Sequence, residues 1–380
     1  MKKEQNENLG NSNIKTPVVQ SLVKVGKAIS LGFFVIFSLL FLTLLILNWI
    51  NSVGIVSPNS PFYGFDYIPA YTLLYIAILA SIFAIPLKKW KFIAAYFVLF
   101  LIFWLWVGDH SLFDFNARVI QPDKHDETIS VLSLNVAQFH DGIEMIGTEL
   151  EKIHPDVIMI QEHEHFGEKN LELVRKNFPS YNIKLGQKFD SGIFSLYPIT
   201  EFNEIQLPSY QPAYEDNFAG EQKYHPHRHF LHAVIDKDGR KVHILCLRLI
   251  AGRSVDFNVS PGEVVKWGKY LLQTQTEEVK TMIDYMKTLE GPIIYGGDMN
   301  APASSHILKP FYIFGTDVYK ATHRWPGYTF PAQGSWQRLD FIFCNDELIP
   351  YDARHLDLVI SDHLPVLAVM GFKNKEGAKK

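Results

Sequence analysis

The chain has 380 residues, of which 47% are hydrophobic, 14% aromatic and 20% charged, and its formal net charge is −4 at pH 7. That length accommodates one large domain or two ordinary ones, with enough apolar material for a sizeable core. The near-balanced charge excludes the large basic field that binds long nucleic acid tightly and leaves room only for a local patch.

The apolar residues are concentrated near the start. Residues 29–50, ISLGFFVIFSLLFLTLLILNWI, carry no charge. At ~1.5 Å per residue, about 20 such residues cross the hydrocarbon core of a bilayer. The run is too long for the apolar part of a signal peptide, and no small-residue cleavage site follows it. A second run covers roughly 67–87, and a third, roughly 92–107, ends with Trp104 and Trp106 in the position of interface anchors. None has the polar face of a helix in a soluble domain. Residues 29–107 are therefore expected to be a membrane domain with three transmembrane helices, whose partner is the lipid bilayer. Lys2, Lys3, Lys15, Lys24 and Lys27 precede the first run, no Lys or Arg separates the first two, and Lys88, Lys89 and Lys91 separate the second and third. This alternation places a cytoplasmic segment at 1–28 and everything after residue 107 on the non-cytoplasmic side.

Residues 108–127, with Pro122 and several charges, suit a linker. From there the pattern changes to short apolar runs between polar turns. ISVLSLNV reads as a buried strand, 143–153 as a helix, and DVIMI after Pro155 as the next strand. Strands follow at 192–199, 230–236 and 241–249, with DKDG at 236–239 as a turn. Residues 263–289 form a long helix that packs through Trp267, Leu271 and Ile283. PIIYGGDMN, QRLDFIFCN and DLVISDHLPVLAVM supply further strands, and 373–380 is a polar tail. The expected fold over 128–372 is an α/β, four-layer sandwich of two packed mixed β-sheets flanked by helices. Cys246 and Cys344 lie in strand-like runs and read as small buried hydrophobes; the sequence supplies no geometry for a bridge.

Four polar clusters accompany these apolar runs. They are Asn135 in VLSLNV, Gln161-Glu162 after DVIMI, Asp298 and Asn300 in IIYGGDMN, and Asp362-His363 in LVISDHLPV. A layered sheet holds groups at its strand ends rigidly, which suits chemistry. In this order and spacing, over roughly 128–372, the clusters resemble the endonuclease/exonuclease/phosphatase superfamily. Its members cleave phosphoesters, a reaction that needs a hard cation, an activated water and donors for charge developing on phosphoryl oxygens. The resemblance implies Glu162 as the main metal ligand, with Asn135 and Asp362 helping to hold magnesium or manganese. It implies Asp298 and Asn300 as the pair that orients water and donates to the phosphoryl group. It also implies His363 as the imidazole at the phosphate, with Asp340 of RLDFIF fixing its tautomer. A strand-edge ion pair between Asp340 and Arg338 is the competing reading.

One position departs from the family pattern. Arg248-Leu249 stands where members usually carry His-Leu. Arg248 cannot donate a proton near neutral pH but can clamp a phosphate. His243, five residues earlier in the strand, points to the opposite face and is no substitute. His225, His227 and His229 alternate in KYHPHRHF, but Pro226 argues for a loop rather than a metal site. The expected protein is a membrane-anchored, magnesium-dependent phosphoesterase acting on a lipid head group or small phosphoester. The alternatives are an extracytoplasmic nuclease acting on nucleic acid, or a binding module inactivated by Arg248.

Overall fold

The computed structural model describes residues 17–52, 70–106, 117–122, 127–163, 168–187, 190–208, 228–251, 261–323 and 327–373. His225 and His227, and the side chain of Trp267, lie outside what is described.

The chain divides into two units. The first comprises residues up to Ile46 together with Ala70–Phe103. It draws on α1 (Pro17–Ser52), α2 (Ala70–Ala84) and α3 (Trp90–Trp106). Aromatic rings lock the helices together: Phe33 stacks on Phe83 at 4.9 Å, and Phe41 meets Tyr96 edge-on at 5.5 Å. The three-span expectation needs correction. Only α1, over Val19–Asn51, is long and apolar enough to cross a membrane among the described residues. With 15 and 17 residues, α2 and α3 fall short of the ~20 that span a bilayer core. Lys88 and Lys89 lie between the end of α2 and the start of α3.

The second unit is the sandwich. One sheet contains β1 (Thr128–Asn135), β2 (Val157–Gln161), β3 (Asn182–Leu185), β4 (Ser191–Ser195), β11 (Leu348–His355) and β12 (Val366–Phe372), in the order β11-β12-β1-β2-β4-β3. The other contains β5 (Ile199–Gln206), β6 (His229–Lys237), β7 (Arg240–Arg248), β8 (Ile293–Asp298), β9 (Thr316–Asp317) and β10 (Asp340–Cys344), in the order β5-β6-β7-β8-β10-β9. Both sheets are mixed: β1–β2 and β7–β8 are parallel and their other pairings antiparallel.

Three apolar layers hold the sandwich. Val131, Met159, Ile244, Ile294 and Ile342 meet between the sheets. On the outside of the first sheet, α4 (Ile143–Ile153) and α5 (Glu168–Asn177) pack over Leu134, Ile158 and Ile160. On the outside of the second, α6 (Pro261–Met286) and α7 (Lys309–Phe314) cover Leu245, Tyr295 and Phe343. A short α8 (Val318–Thr322) precedes β10. The helix expected at 143–153 forms because Ile143, Ile146 and Leu150 share one buried face, and it stops at left-handed His154 before Pro155. The turn expected at 236–239 is a two-residue hairpin loop, with Asp238 and Gly239 both at positive φ. Leu271 and Ile283 of α6 are buried as expected.

Other expectations change. The run before Asp362-His363 is not a strand. Leu358 N–H and Ile360 N–H donate back only two residues, to Leu356 and Leu358, and Pro365 delays the ladder until Val366. Strands β3, β5, β9 and β11 were not foreseen as separate elements, because their residues alternate or are only half-buried. Part of the expected linker belongs to the sandwich: Arg118 N–H donates to Ala321 O at 3.1 Å and Ile120 N–H to Tyr351 O at 2.9 Å. Cys246 and Cys344 are buried free thiols, and burial pushes both up to about 12.

Candidate active site

Strand register gathers the polar clusters at one end of both sheets. In the first sheet, Asn135 pairs with Gln161 at the ends of parallel β1 and β2. In the second, Arg248 ends β7 beside Asp298, and Asp298 faces Asp340 across β8 and β10. Two glycines make this register attainable. A Cβ on Gly296 would lie 2.1 Å from Phe341 O, and one on Gly297, at φ +138°, 2.0 Å from Leu247 O. Only residues without a side chain allow β8 to sit this tightly between its neighbours.

The sheets are joined through Asp298. Asn135 Nδ2 donates to Asp298 Oδ2 at 3.1 Å, and Asn300 Nδ2 donates to the same oxygen at 2.9 Å. Asn300 N–H donates to Oδ1 at 2.9 Å. Asn300 takes a left-handed φ of 45°, which asparagine tolerates, and its amide also donates to Leu249 O. Burial pushes Asp298 up to about 6; Asp340 pushes the same way, while His363 and Arg248 oppose it.

His363 is buried, with its Nδ1 2.8 Å from Asp340 Oδ2. Burial alone would lower its pKa, but the carboxylates of Asp340 and Asp298 prevail and raise it to about 10. The imidazole is therefore a cation at neutral pH. The competing ion pair between Asp340 and Arg338 does not form. Arg338 instead reaches Asp317 at 2.6 Å and stacks between Tyr319 and Phe341.

Glu162 follows β2 at a left-handed φ of 57°, held there by Gln138 N–H on its carbonyl at 2.7 Å. A glutamate with this backbone is uncommon and points to an imposed geometry. Its carboxylate is bound by Arg248 Nη2, while Arg248 Nη1 donates to Asp190 Oδ2 at 2.9 Å. Burial works against the guanidinium charge, yet Asp190 and Glu162 more than offset that and keep it protonated. His243, on the opposite face, bonds His232 at 2.9 Å and Glu290 O at 3.0 Å, as strand alternation predicts. Asp362 is exposed and accepts from Ser361 Oγ at 3.2 Å.

Several positioning residues escaped sequence reasoning. Thr329 Oγ1 accepts from Leu339 N–H and Asp340 N–H, and Leu364 N–H donates to Thr329 O at 2.9 Å. Phe330 lies over the His363 ring at 4.8 Å. Ser361 Oγ donates to Asn135 O at 2.7 Å. Buried Glu278 of α6 accepts from Arg228, whose Nη2 donates to Arg248 O at 2.7 Å. Only Glu278 carried a local signal, as an acid on the apolar side of a helix.

The donors suit a hard divalent ion. Asp298, Asp340 and His363 bring ligand atoms within 4.8 Å of one another, and Asp340 Oδ1 is buried without a hydrogen-bond partner among the described residues. However, His363 Nδ1 is already committed to Asp340 and both Asp298 oxygens to amides. Glu162, with its side chain 28% exposed, remains the more open oxygen donor.

The sandwich also has counterparts among known proteins. Residues 131–363 match the model of the endonuclease/exonuclease/phosphatase family. No curated protein matches the chain. Solved structures similar to it include an endonuclease/exonuclease/phosphatase from Bacteroides vulgatus, at 14% identity and a TM-score of 0.48, covering 65% of this chain and all (100%) of that one. A mannosyl-6-phosphatase from Bacteroides thetaiotaomicron shows 18% identity and a TM-score of 0.47, covering 64% and 100%. The human Nocturnin catalytic domain with a bound sulfate anion shows 17% identity and a TM-score of 0.47, covering 65% and 96%.

Proposed function

The chain belongs to the endonuclease/exonuclease/phosphatase family, and from the charges its cleft gathers we propose that it is a divalent-metal-dependent phosphoester hydrolase anchored in a membrane. The observation that carries this reading is the bonding of Asp298. Three N–H groups orient a buried carboxylate, beside an imidazolium that a second carboxylate holds in place.

Asp298, ionised above about pH 6, accepts the proton of an attacking water. His363, cationic up to about pH 10, donates to a phosphoryl or leaving-group oxygen, with Asp340 fixing its orientation. Asn135 and Asn300 hold Asp298; both Nδ2 hydrogens of Asn300 are taken by Asp298 and Leu249 O, so the second Nδ2 hydrogen of Asn135 is the amide donor for a phosphoryl oxygen. The cleft sets Glu162, Asp190, Asp298, Asp340 and Asp362 against the cations Arg248 and His363. This negative balance repels a phosphoester unless a cation enters with it. Glu162, with Asn135 and Asp362, would hold magnesium or manganese, which would supply that charge and polarise the phosphoryl group.

A small phosphoester or lipid head group is the favoured substrate class, because membrane anchoring accompanies a chain with no basic excess. Assay of the purified full-length chain with magnesium should show turnover of sphingomyelin or inositol phosphates above that of DNA. Preferential cleavage of DNA would make the protein a nuclease. No turnover of any of the three would support the binding-module alternative.

The lysines that precede the apolar run 29–50 support a cytoplasmic N-terminus, with α1 as the membrane anchor and the sandwich outside the cytoplasm. A C-terminal alkaline phosphatase fusion should then be active and a green fluorescent protein fusion dark. The reverse result would leave the sandwich inside.

A further inference from the structure

Arg248 divides its donors between two carboxylates. Nη2 goes to Glu162 and Nη1 to Asp190, while buried Nε has no hydrogen-bond partner among the described residues. A guanidinium satisfied by one carboxylate would use two parallel N–H groups on it. Here the fork is split. The backbone beneath it is fixed by Arg228, itself anchored on buried Glu278. The root of the side chain is therefore rigid, and its tip bridges two acids at the cleft edge.

The two contacts differ in what could replace them. The Asp190 side chain is 26% exposed and that of Glu162 28%, but Glu162 directly follows Gln161, the last residue of β2 and the partner of Asn135 on β1. One positive charge shared between two carboxylates leaves the group negative, so a divalent cation is attracted to it. A cation that takes Glu162 must displace Nη2. Nε and Nη2 form one edge of the guanidinium plane, and that edge would then face the cleft with two unpaired N–H groups, while Nη1 stays on Asp190. Two parallel N–H groups are the geometry that grips two oxygens of a phosphate.

We propose that Arg248 is an internal counter-ion of Glu162 that a divalent cation displaces, freeing the Nε–Nη2 edge to receive phosphoester oxygens. This rests on the reading of Glu162 as a metal-holding carboxylate. Arg248 thereby weakens metal binding and couples it to anion binding: metal raises the affinity for phosphate, and phosphate raises the affinity for metal by the same factor. It also turns the departure from the family pattern at this position into a link between metal and substrate binding.

Calorimetry on the purified full-length chain tests the exchange, with magnesium and inorganic phosphate as the probes. Arg248→Gln should bind magnesium about tenfold more tightly than wild type, the scale expected for losing a close charge competitor. Magnesium should raise phosphate affinity about tenfold more in wild type than in Arg248→Gln, where only the direct attraction between cation and anion remains. Arg248→Lys keeps the charge without the paired edge. It should bind magnesium nearly as wild type does but lose the additional coupling, and it carries the test if the glutamine variant fails to fold. In a Glu162→Gln background, magnesium binding should be weaker, and Arg248→Gln should no longer tighten it. Equal magnesium affinity in wild type and Arg248→Gln, or phosphate binding in wild type that ignores magnesium, overturns the exchange. If such a protein still hydrolyses phosphoesters, the proposed function stands without it. No magnesium binding and no hydrolysis in any variant would overturn both.

Discussion

Asp298→Asn should lower phosphoester turnover by at least about 100-fold, the lower end of what a positioned general base contributes. The amide cannot accept a proton, and the damage extends beyond lost basicity. Asp298 Oδ1 accepts from Asn300 N–H, and Oδ2 from the amides of Asn135 and Asn300. An NH2 group in either position sets a donor against a donor, so the bond joining the two sheets is weakened as well. The loss should fall on kcat rather than KM, with the circular dichroism spectrum unchanged. In the wild type, protonation of Asp298 predicts an acid limb near pH 6. The sign of its dependence on His363 is fixed: the imidazolium lowers the Asp298 pKa, so His363→Gln should move the acid limb upward. An acid limb that stays in place in that variant would show that another group sets it.

Asp340→Asn should also reduce turnover strongly, by about 100-fold or more, without abolishing substrate binding. In a Ser-His-Asp triad the same replacement costs ~10⁴-fold by leaving the imidazole in the wrong tautomer. Asp340 is wholly buried, and its Oδ2 lies 2.8 Å from His363 Nδ1. Its charge is the largest influence raising the His363 pKa, which stands at about 10. Without that charge, the burial of His363 works unopposed by its main partner. The imidazolium should then deprotonate at lower pH, and the alkaline limb should move toward neutrality. Full activity with an unshifted profile would remove the Asp340–His363 pair from the chemistry.

How much of this was legible in the sequence depended on whether a signal was local. The strands β1, β2, β8 and β10 are short, largely apolar and mostly buried, so their terminal polar residues could be identified directly. Parallel and antiparallel pairing then brings Asn135, Arg248, Asp298 and Asp340 to one end. Arg248 was expected at the end of its strand, but its partner Asp190 was not foreseen. That aspartate lies in the loop before β4, and nothing near it in the chain marks it as an ion-pair partner 58 residues from Arg248. Thr329 and Phe330 escaped for the same reason: they reach Asp340 and His363 through a loop whose path the sequence does not encode locally. Apolar character alone misled at 358–360, where buried Ile360 packs beneath the site in successive tight turns rather than in a ladder. It misled again in the membrane region, where apolar composition was clear but helix length was not.

The most direct test is hydrolysis of bis(p-nitrophenyl) phosphate by the purified full-length chain, with magnesium and with excess chelator, beside Asp298→Asn. The cluster described here predicts p-nitrophenol release by the wild type with magnesium, loss of that release on chelation, and at least about 100-fold less in the variant. Release that persists in chelator, or that Asp298→Asn matches, would contradict a metal-dependent phosphoesterase site at these strand ends.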